Sequence, residues 1–237
     1  MQLGEASEPP LIEAVARGIS LVTPANLGYA NAGSPVAPLL MVMKSSHITS
    51  LSQLTGKTIG VEASGANFDI AVHYAFLKDG ITGANLPHFV QAAPTALVPQ
   101  LVAGQVAAIE IGTPFVSEAE AEGAVSLLDP FTVKQGLQGR QFLIAKTSYV
   151  NANLAAMARL RTALQEADKF IADNPAQAKL IIQKSAGLPS AVMKNYALPI
   201  YATTPSASEL SMWVTLMEAT GYLAKNANVS VASMVEG

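Results

Sequence analysis

The sequence predicts an α/β fold, and three observations carry that expectation. Short β-type runs alternate with amphipathic helical runs between residues 39 and 145. A strand, a glycine-containing loop and a helix follow one another at residues 58–80, the unit from which parallel α/β sheets are built. Half of the 237 residues are hydrophobic and only 13% are charged, so the chain can bury a sizeable core and does not have the low-hydrophobicity, high-charge composition of disorder. At about 100–200 residues per domain, the length suits one large domain or two lobes.

The elements read as follows. LLMVM at 39–43 is apolar on both faces, as a covered strand is. TIGV at 58–61 reads the same way and leads into the loop EASGAN. Phe68, Ala71, Val72, Ala75 and Phe76 then fall on one helical face, with Ser64 as the expected N-cap and Gly80 as the stop. A short strand is expected at 88–91. Pro94 and Thr95 open a helix carrying Leu97, Leu101 and Val102, which Gly104 ends. The run at 106–111 is the next strand, and Gly112, Thr113 and Pro114 start a helix that stops near Gly123. Further short strands are expected at 126–128 and 142–145.

From Asn151 the chain reads mostly helical. Leu154, Met157, Leu164 and Ile171 mark an apolar stripe. Asn174 and Pro175 cap a helix ending at Gly187. Ser206 and Glu209 have capping-box spacing, ahead of Leu210, Trp213, Val214, Leu216 and Met217 on a helix that halts at Gly221.

Composition disfavours several functions. With 14 basic against 17 acidic residues the net charge is -3, whereas nucleic-acid binding needs a basic face. There is no cysteine, which removes disulfides, thiol nucleophiles and zinc–thiolate sites. Three histidines, His47, His73 and His88, leave little for a histidine metal site. No apolar run reaches the roughly 18 residues of a spanning helix, and MQLGEASEPP does not have the basic and apolar regions of a signal peptide. The chain therefore reads as a soluble globular protein with no residue pattern that asks for a cofactor or metal.

The segment HITSLSQLTGKTIGVEASGANFD resembles a stretch of the nitrate/sulfonate/taurine (NMT1/THI5-like) substrate-binding proteins of ABC transporters. Ser46, Ile48, Ser50, Leu51, Leu54, Gly56, Lys57, Ile59 and Val61 match that pattern, and Gln53 stands where the family has Asp. LVAGQVAAIEIGTPF matches a second segment through Leu101, Gly104, Val106, Ala108, Pro114 and Phe115, with Ala107 replacing Asp. Asn174, Pro175 and Ala178 match the cap of the closing helices. The resemblance implies a bilobal, periplasmic-binding-protein-like (type II) fold, two α/β lobes joined by two hinge strands near 39–43 and 142–145. Lobe one is expected at residues 1–43 and 146–237, and lobe two at 44–145. The resemblance implies that residues 1–18 follow at least one strand–helix unit, roughly 30 residues, so lobe one is expected to be incomplete ahead of Met1.

The implied function is extracytoplasmic capture of a small anionic solute, sulfonate- or nitrate-like, in an interlobe cleft, and its delivery to an ABC permease. The resemblance implies a monomer and no turnover. Ligands bind at the carboxyl ends of strands in open α/β sheets, and helix N-termini offer unpaired N–H groups to anions. The expected ligand contacts are therefore Ser64, Gly65, Ala66 and Asn67 in the first loop, Ala93 in the second, and Gly112 and Thr113 in the third. Lobe one is expected to add Ser7, Glu8 and Asn26. Glu62 and Glu8 would repel an anion unless they point away or meet a donor on the ligand. Two other readings stay open: a cytosolic enzyme of the same fold, of the pyrimidine-synthesis kind, and a ligand-sensing domain. The sequence has no G-x-S-x-G, H-E-x-x-H or Walker A motif to support the enzyme.

Overall fold

A computed structural model describes residues 2–187, 190–193, 196–198, 201 and 207–235. The chain forms two compact units. The first comprises Met1–Ala30, Gln138–Ile182 and Leu198–Gly237, and the second Asn31–Leu137 and Gln183–Ala197.

The second unit holds a five-stranded mixed sheet in the order β5-β4-β6-β3-β7. Its strands are β3 (Leu39–Met43), β4 (Thr58–Val61), β5 (His88–Gln91), β6 (Ala108–Ile111) and β7 (Ala124–Leu128). β4 is parallel to β5 and β6, while β3 runs antiparallel to β6 and β7. Its helices include α2 (Asn67–Lys78), α3 (Pro94–Val102) and α4 (Phe115–Ala121).

Strand alternation assigns the sheet faces. Ile59, Phe89 and Ala108 are in register on one face, followed two residues later by Val61, Gln91 and Glu110. α2 covers this face, with the His73 ring stacked on Phe89 at 4.0 Å between centroids. Gly60 and Ile109 face the other way, against α3. There Met41, Leu97, Val98, Leu101, Val106, Ile109 and Ile111 form a buried cluster.

Gly60 is where α3 approaches the sheet most closely. A Cβ on it would lie 2.6 Å from Leu97 Cδ2, and Leu97 is fully buried, so it has little room to yield. Gly60→Val is expected to cost about 1–3 kcal/mol by overpacking. Leu97→Ala by itself is expected to cost about 2–5 kcal/mol. Urea denaturation of both singles and the double should show the double losing clearly less than their sum, a coupling above about 0.5 kcal/mol. Strict additivity would mean that the two residues do not compete for the same space.

The first unit holds a three-stranded sheet in the order β1-β8-β2. Its strands are β1 (Gly4–Ala6), β2 (Leu21–Asn31) and β8 (Gln138–Lys146), with β1 and β8 antiparallel. α1 (Glu8–Ala16) packs on β8 and on α9 (Ala207–Thr220). Between β8 and α9 come α5 (Thr147–Ala152), α6 (Leu154–Asp173), α7 (Pro175–Ala186) and α8 (Ser190–Met193), the last of which falls within the second unit.

Several expectations need correcting. The units part near 30/31 and 137/138, not at 43/44 and 145/146. β3 is hydrogen-bonded between β6 and β7 and so belongs wholly to the second sheet, while β8 already pairs with β1. β2 has no counterpart in the sequence reading, because Pro24 and Gly28 interrupt its pattern. Pro is tolerated there because β2 ends the strand order of its sheet. On α6, Met157 is buried as expected, but Leu154 is 56% exposed. Ser206 of the expected capping box lies outside the described residues.

Candidate functional site

Because β4, β5 and β6 are parallel, Val61, Gln91 and Ile111 end at one edge of the second unit's sheet. The loops 62–66, 92–93 and 112–114 leave from that edge. It therefore gathers Ser64, Gly65, Ala66, Ala93, Gly112 and Thr113, with Asn67 as the first residue of α2. β3 begins at the same edge, with Leu39 opposite Ile111. Gly33 N–H donates to Asp129 Oδ2 at 2.7 Å and ties the segment before β3 to the segment after β7.

The backbone donors of this edge are partly in use. Gly65 N–H donates to Asp69 Oδ2 at 2.6 Å. Gly112 N–H donates to Glu62 Oε1 at 2.9 Å, joining the first loop to the third. Ser64 N–H reaches Gln91 Oε1 only at 3.5 Å. The expected cap at Ser64 is not formed: the N-cap position is Ala66, without a side-chain cap bond. Asp69 serves the helix start instead, placing its charge in the first turn, where the helix dipole favours it. Pro114 likewise sits one residue ahead of α4, at its N-cap. Asn67 is buried. Ser64 is exposed and Thr113 half-exposed, and among the described residues neither hydroxyl has a hydrogen-bond partner.

Glu62 turns its carboxylate onto Gly112 N–H, which answers the concern that it repels an anion outright. Burial raises its pKa, and the Gly112 N–H partly lowers it again. The residue the sequence reading missed is Glu110. It is 3% exposed and sits on the α2 face of β6 opposite Val61. Its Oε1 has no hydrogen-bond partner. Burial first, and then the negative charges of Asp69 and Glu62, raise its pKa well above the ordinary carboxyl value. His73 Nδ1 lies 3.2 Å from Asp69 Oδ1 and 2.9 Å from the Asp69 backbone carbonyl oxygen. No Lys or Arg occurs in the three loops. A single glutamate inside the apolar run VAAIEI was the available signal, because an acid in a covered strand must be paired or neutral.

In the first unit, Ser7 is buried at the N-cap of α1 and makes no side-chain cap bond. Glu8 is fully buried, and its Oε1 accepts the backbone N–H of Arg140 at 2.6 Å. Its charge thus serves the unit's own interior. Asn26 lies in β2, where its Oδ1 accepts Gly28 N–H at 3.2 Å and its buried Nδ2 has no partner. The Arg140 guanidinium, unforeseen from the sequence, bonds Glu209 at 2.6 Å and Gln138 at 2.9 Å and lies 4.8 Å from the Tyr29 ring centroid.

A cavity of about 640 Å³ in the second unit, lined by Met43, Ser46, Lys57, Leu101 and Val106 among others, opens at the amino ends of β4 and β6. None of the expected contact residues lines it. Among the described residues no group of three or more His, Asp and Glu could hold a metal, and no helix is long and apolar enough to cross a membrane.

The NMT1/THI5-like family model matches residues 1–178. No curated protein sequence matches the chain. Among solved structures, the chain is similar to the periplasmic aliphatic sulphonate-binding protein SsuA of Escherichia coli. That match has a TM-score of 0.77 at 21% identity and covers 100% of this chain and 76% of that one. The alkanesulfonate-binding protein SsuA of Xanthomonas axonopodis pv. citri, bound to MOPS, matches with a TM-score of 0.79 at 20% identity, covering 99% and 80%. The periplasmic nitrate-binding protein NrtA of Synechocystis PCC 6803 matches at 0.74 and 13% identity, covering 96% and 69%. At these identities the structural likeness establishes the fold.

Proposed function

Because the chain belongs to the NMT1/THI5-like family, we propose that it is an extracytoplasmic solute-binding protein that captures a small sulfonate- or nitrate-like anion and passes it to an ABC permease without chemical turnover. The family match over residues 1–178 carries the reading. The loop edge of β4, β5 and β6 supports it, since it sets hydroxyl donors and a helix start side by side at the carboxyl ends of parallel strands. The binding protein acts as a monomer and needs no cofactor.

In the second unit the solute lies against Ser64, Gly65, Ala66, Asn67, Ala93, Gly112 and Thr113. Gly65 and Gly112 shape the loops more than they donate, since their N–H groups already serve Asp69 and Glu62. The donors left for the anion are the Ser64 and Thr113 hydroxyls. Of the first unit's expected contacts, Asn26 offers an unpartnered Nδ2.

The direct test is a calorimetric screen of methanesulfonate, longer alkanesulfonates and nitrate against the wild type and a Ser64→Ala/Thr113→Val variant. At about 0.5–1.5 kcal/mol per hydrogen bond, the variant should lose about 5- to 150-fold in affinity. Neither side chain is buried, so apo stability should stay within about 0.5 kcal/mol. Unchanged affinity would remove these hydroxyls from the site, and turnover of a bound compound would overturn the transport reading.

A further inference from the structure

Glu110 is not accounted for by anion capture through the loop hydroxyls. It sits two residues ahead of the Gly112 loop, buried on the α2 face of the sheet, with one carboxyl oxygen lacking any partner. Every titratable neighbour that acts on it is acidic: Asp69 from the first turn of α2, and Glu62 from the loop after β4. On α2, His73 has its Nδ1 3.2 Å from Asp69 Oδ1. From β3, the residue in register with Glu110 is Leu40, which carries no charge. Three carboxyl groups thus lie beneath a surface that has no Lys or Arg in its loops. Were all three ionised, they would repel the solute that the preceding reading assigns to this edge.

We propose that Glu110 selects the charge of the bound solute: it holds a proton beneath the loop edge, and binding of the anion and retention of that proton form one coupled equilibrium. The inference rests on the anion reading above. No bond to the solute is required of Glu110, which acts through charge. Protonated, it leaves Glu62 and Asp69 as its acidic neighbours, and each already accepts a backbone N–H, from Gly112 and Gly65 respectively. Ionised, it adds an uncompensated buried charge. The direction of burial and of its two acidic neighbours agrees, since both favour the neutral form. By reciprocity, an anion that binds better to the protonated form must raise the proton affinity of Glu110 by the same factor.

Affinity should then be flat at low pH and weaken as Glu110 ionises in the apo protein, by at most about tenfold per pH unit for one linked proton. The test is the calorimetric Kd of methanesulfonate and nitrate from pH 6 to 9.5, in paired non-sulfonate buffers of different ionisation heat, so that proton uptake is counted directly. Uptake approaching one proton at the alkaline end is expected, as is loss of both the uptake and the pH dependence in Glu110→Gln. Should that variant misfold, the carboxyl ¹³C titration of wild-type Glu110, with and without methanesulfonate, reads the same coupling as a ligand-induced upward shift of its midpoint. A Kd independent of pH overturns the coupling while leaving solute capture standing. A Kd that tightens with rising pH overturns it as well, because the ionised form of Glu110 would then bind the anion better than the protonated one. Failure of the whole anion panel to bind at any pH instead overturns the solute reading itself.

Discussion

Trp213→Ala is expected to destabilise the first unit by about 3–5 kcal/mol, the range for removing a buried Trp or Phe side chain. Trp213 is fully buried on α9, the helix that packs on α1. Its Nε1–H donates to the carbonyl of Gln138 at 2.8 Å, at the start of β8. The substitution therefore opens a cavity and strips a strand carbonyl of its donor at once. Trp213→Phe separates the two effects: most of the apolar contact stays, and the orphaned carbonyl accounts for about 1–3 kcal/mol. This is the chain's single tryptophan, so urea denaturation must be followed by far-ultraviolet circular dichroism. Leu180→Ala provides the reference: Leu180 is 65% exposed, and its replacement should fall within about 0.5 kcal/mol of wild type. Equal losses for Trp213→Ala and Leu180→Ala would refute the packing described for α9.

Arg140→Ala is expected to cost about 3–5 kcal/mol, because it leaves one member of a buried ion pair without compensation. The Arg140 side chain is 7% exposed and that of Glu209 17%, with 2.6 Å between the charged atoms. The Arg140 Nη2 that makes this pair also donates to Gln138, and the guanidinium carbon lies 4.8 Å from the Tyr29 ring centroid. The backbone N–H of residue 140 survives the substitution, so its bond to Glu8 is retained and the loss reports on the guanidinium. The double change Arg140→Leu/Glu209→Leu removes both charges and should recover most of the stability, since replacing a buried pair with apolar residues is often near neutral. Chemical denaturation of the two singles and the double makes a complete cycle. A cost below about 1 kcal/mol for Arg140→Ala would mean the pair behaves as an exposed one. Raising the salt concentration should change little, because buried pairs are screened far less than surface pairs.

The second unit was legible in the sequence because its signals are local. LLMVM, TIGV and the run ending in AIEI are short, apolar and bounded by turn residues, and each is a strand. The face of α2 was readable from the spacing of Ala71, Val72, Ala75 and Phe76, all buried. The loops after β4, β5 and β6 could be placed at one edge because parallel order follows from strand–helix alternation. The first unit was harder. β1 has three residues and β2 carries Pro24 and Gly28, so neither shows a period. They are strands because β8 pairs β1 across more than 130 residues of chain, a contact no local window contains. The cap of α2 was misplaced for a related reason: Ser64 has the right chemistry, but Asp69 bonds Gly65 N–H and moves the helix start to Asn67.

By itself, the sequence determined the α/β class, the family pattern and the position of the three loops, since these depend on hydrophobic period, turn chemistry and motif order. Only the tertiary structure decided how the polar groups are spent. Gly112 N–H goes to Glu62, Gly65 N–H to Asp69, and the backbone N–H of Arg140 to Glu8. Glu110 is left buried among acids. The physical reason is that a side chain's charge and hydrogen-bonding capacity are used against whatever the fold brings within about 3 Å, and those neighbours here lie 4, 50 and 132 residues away in the chain.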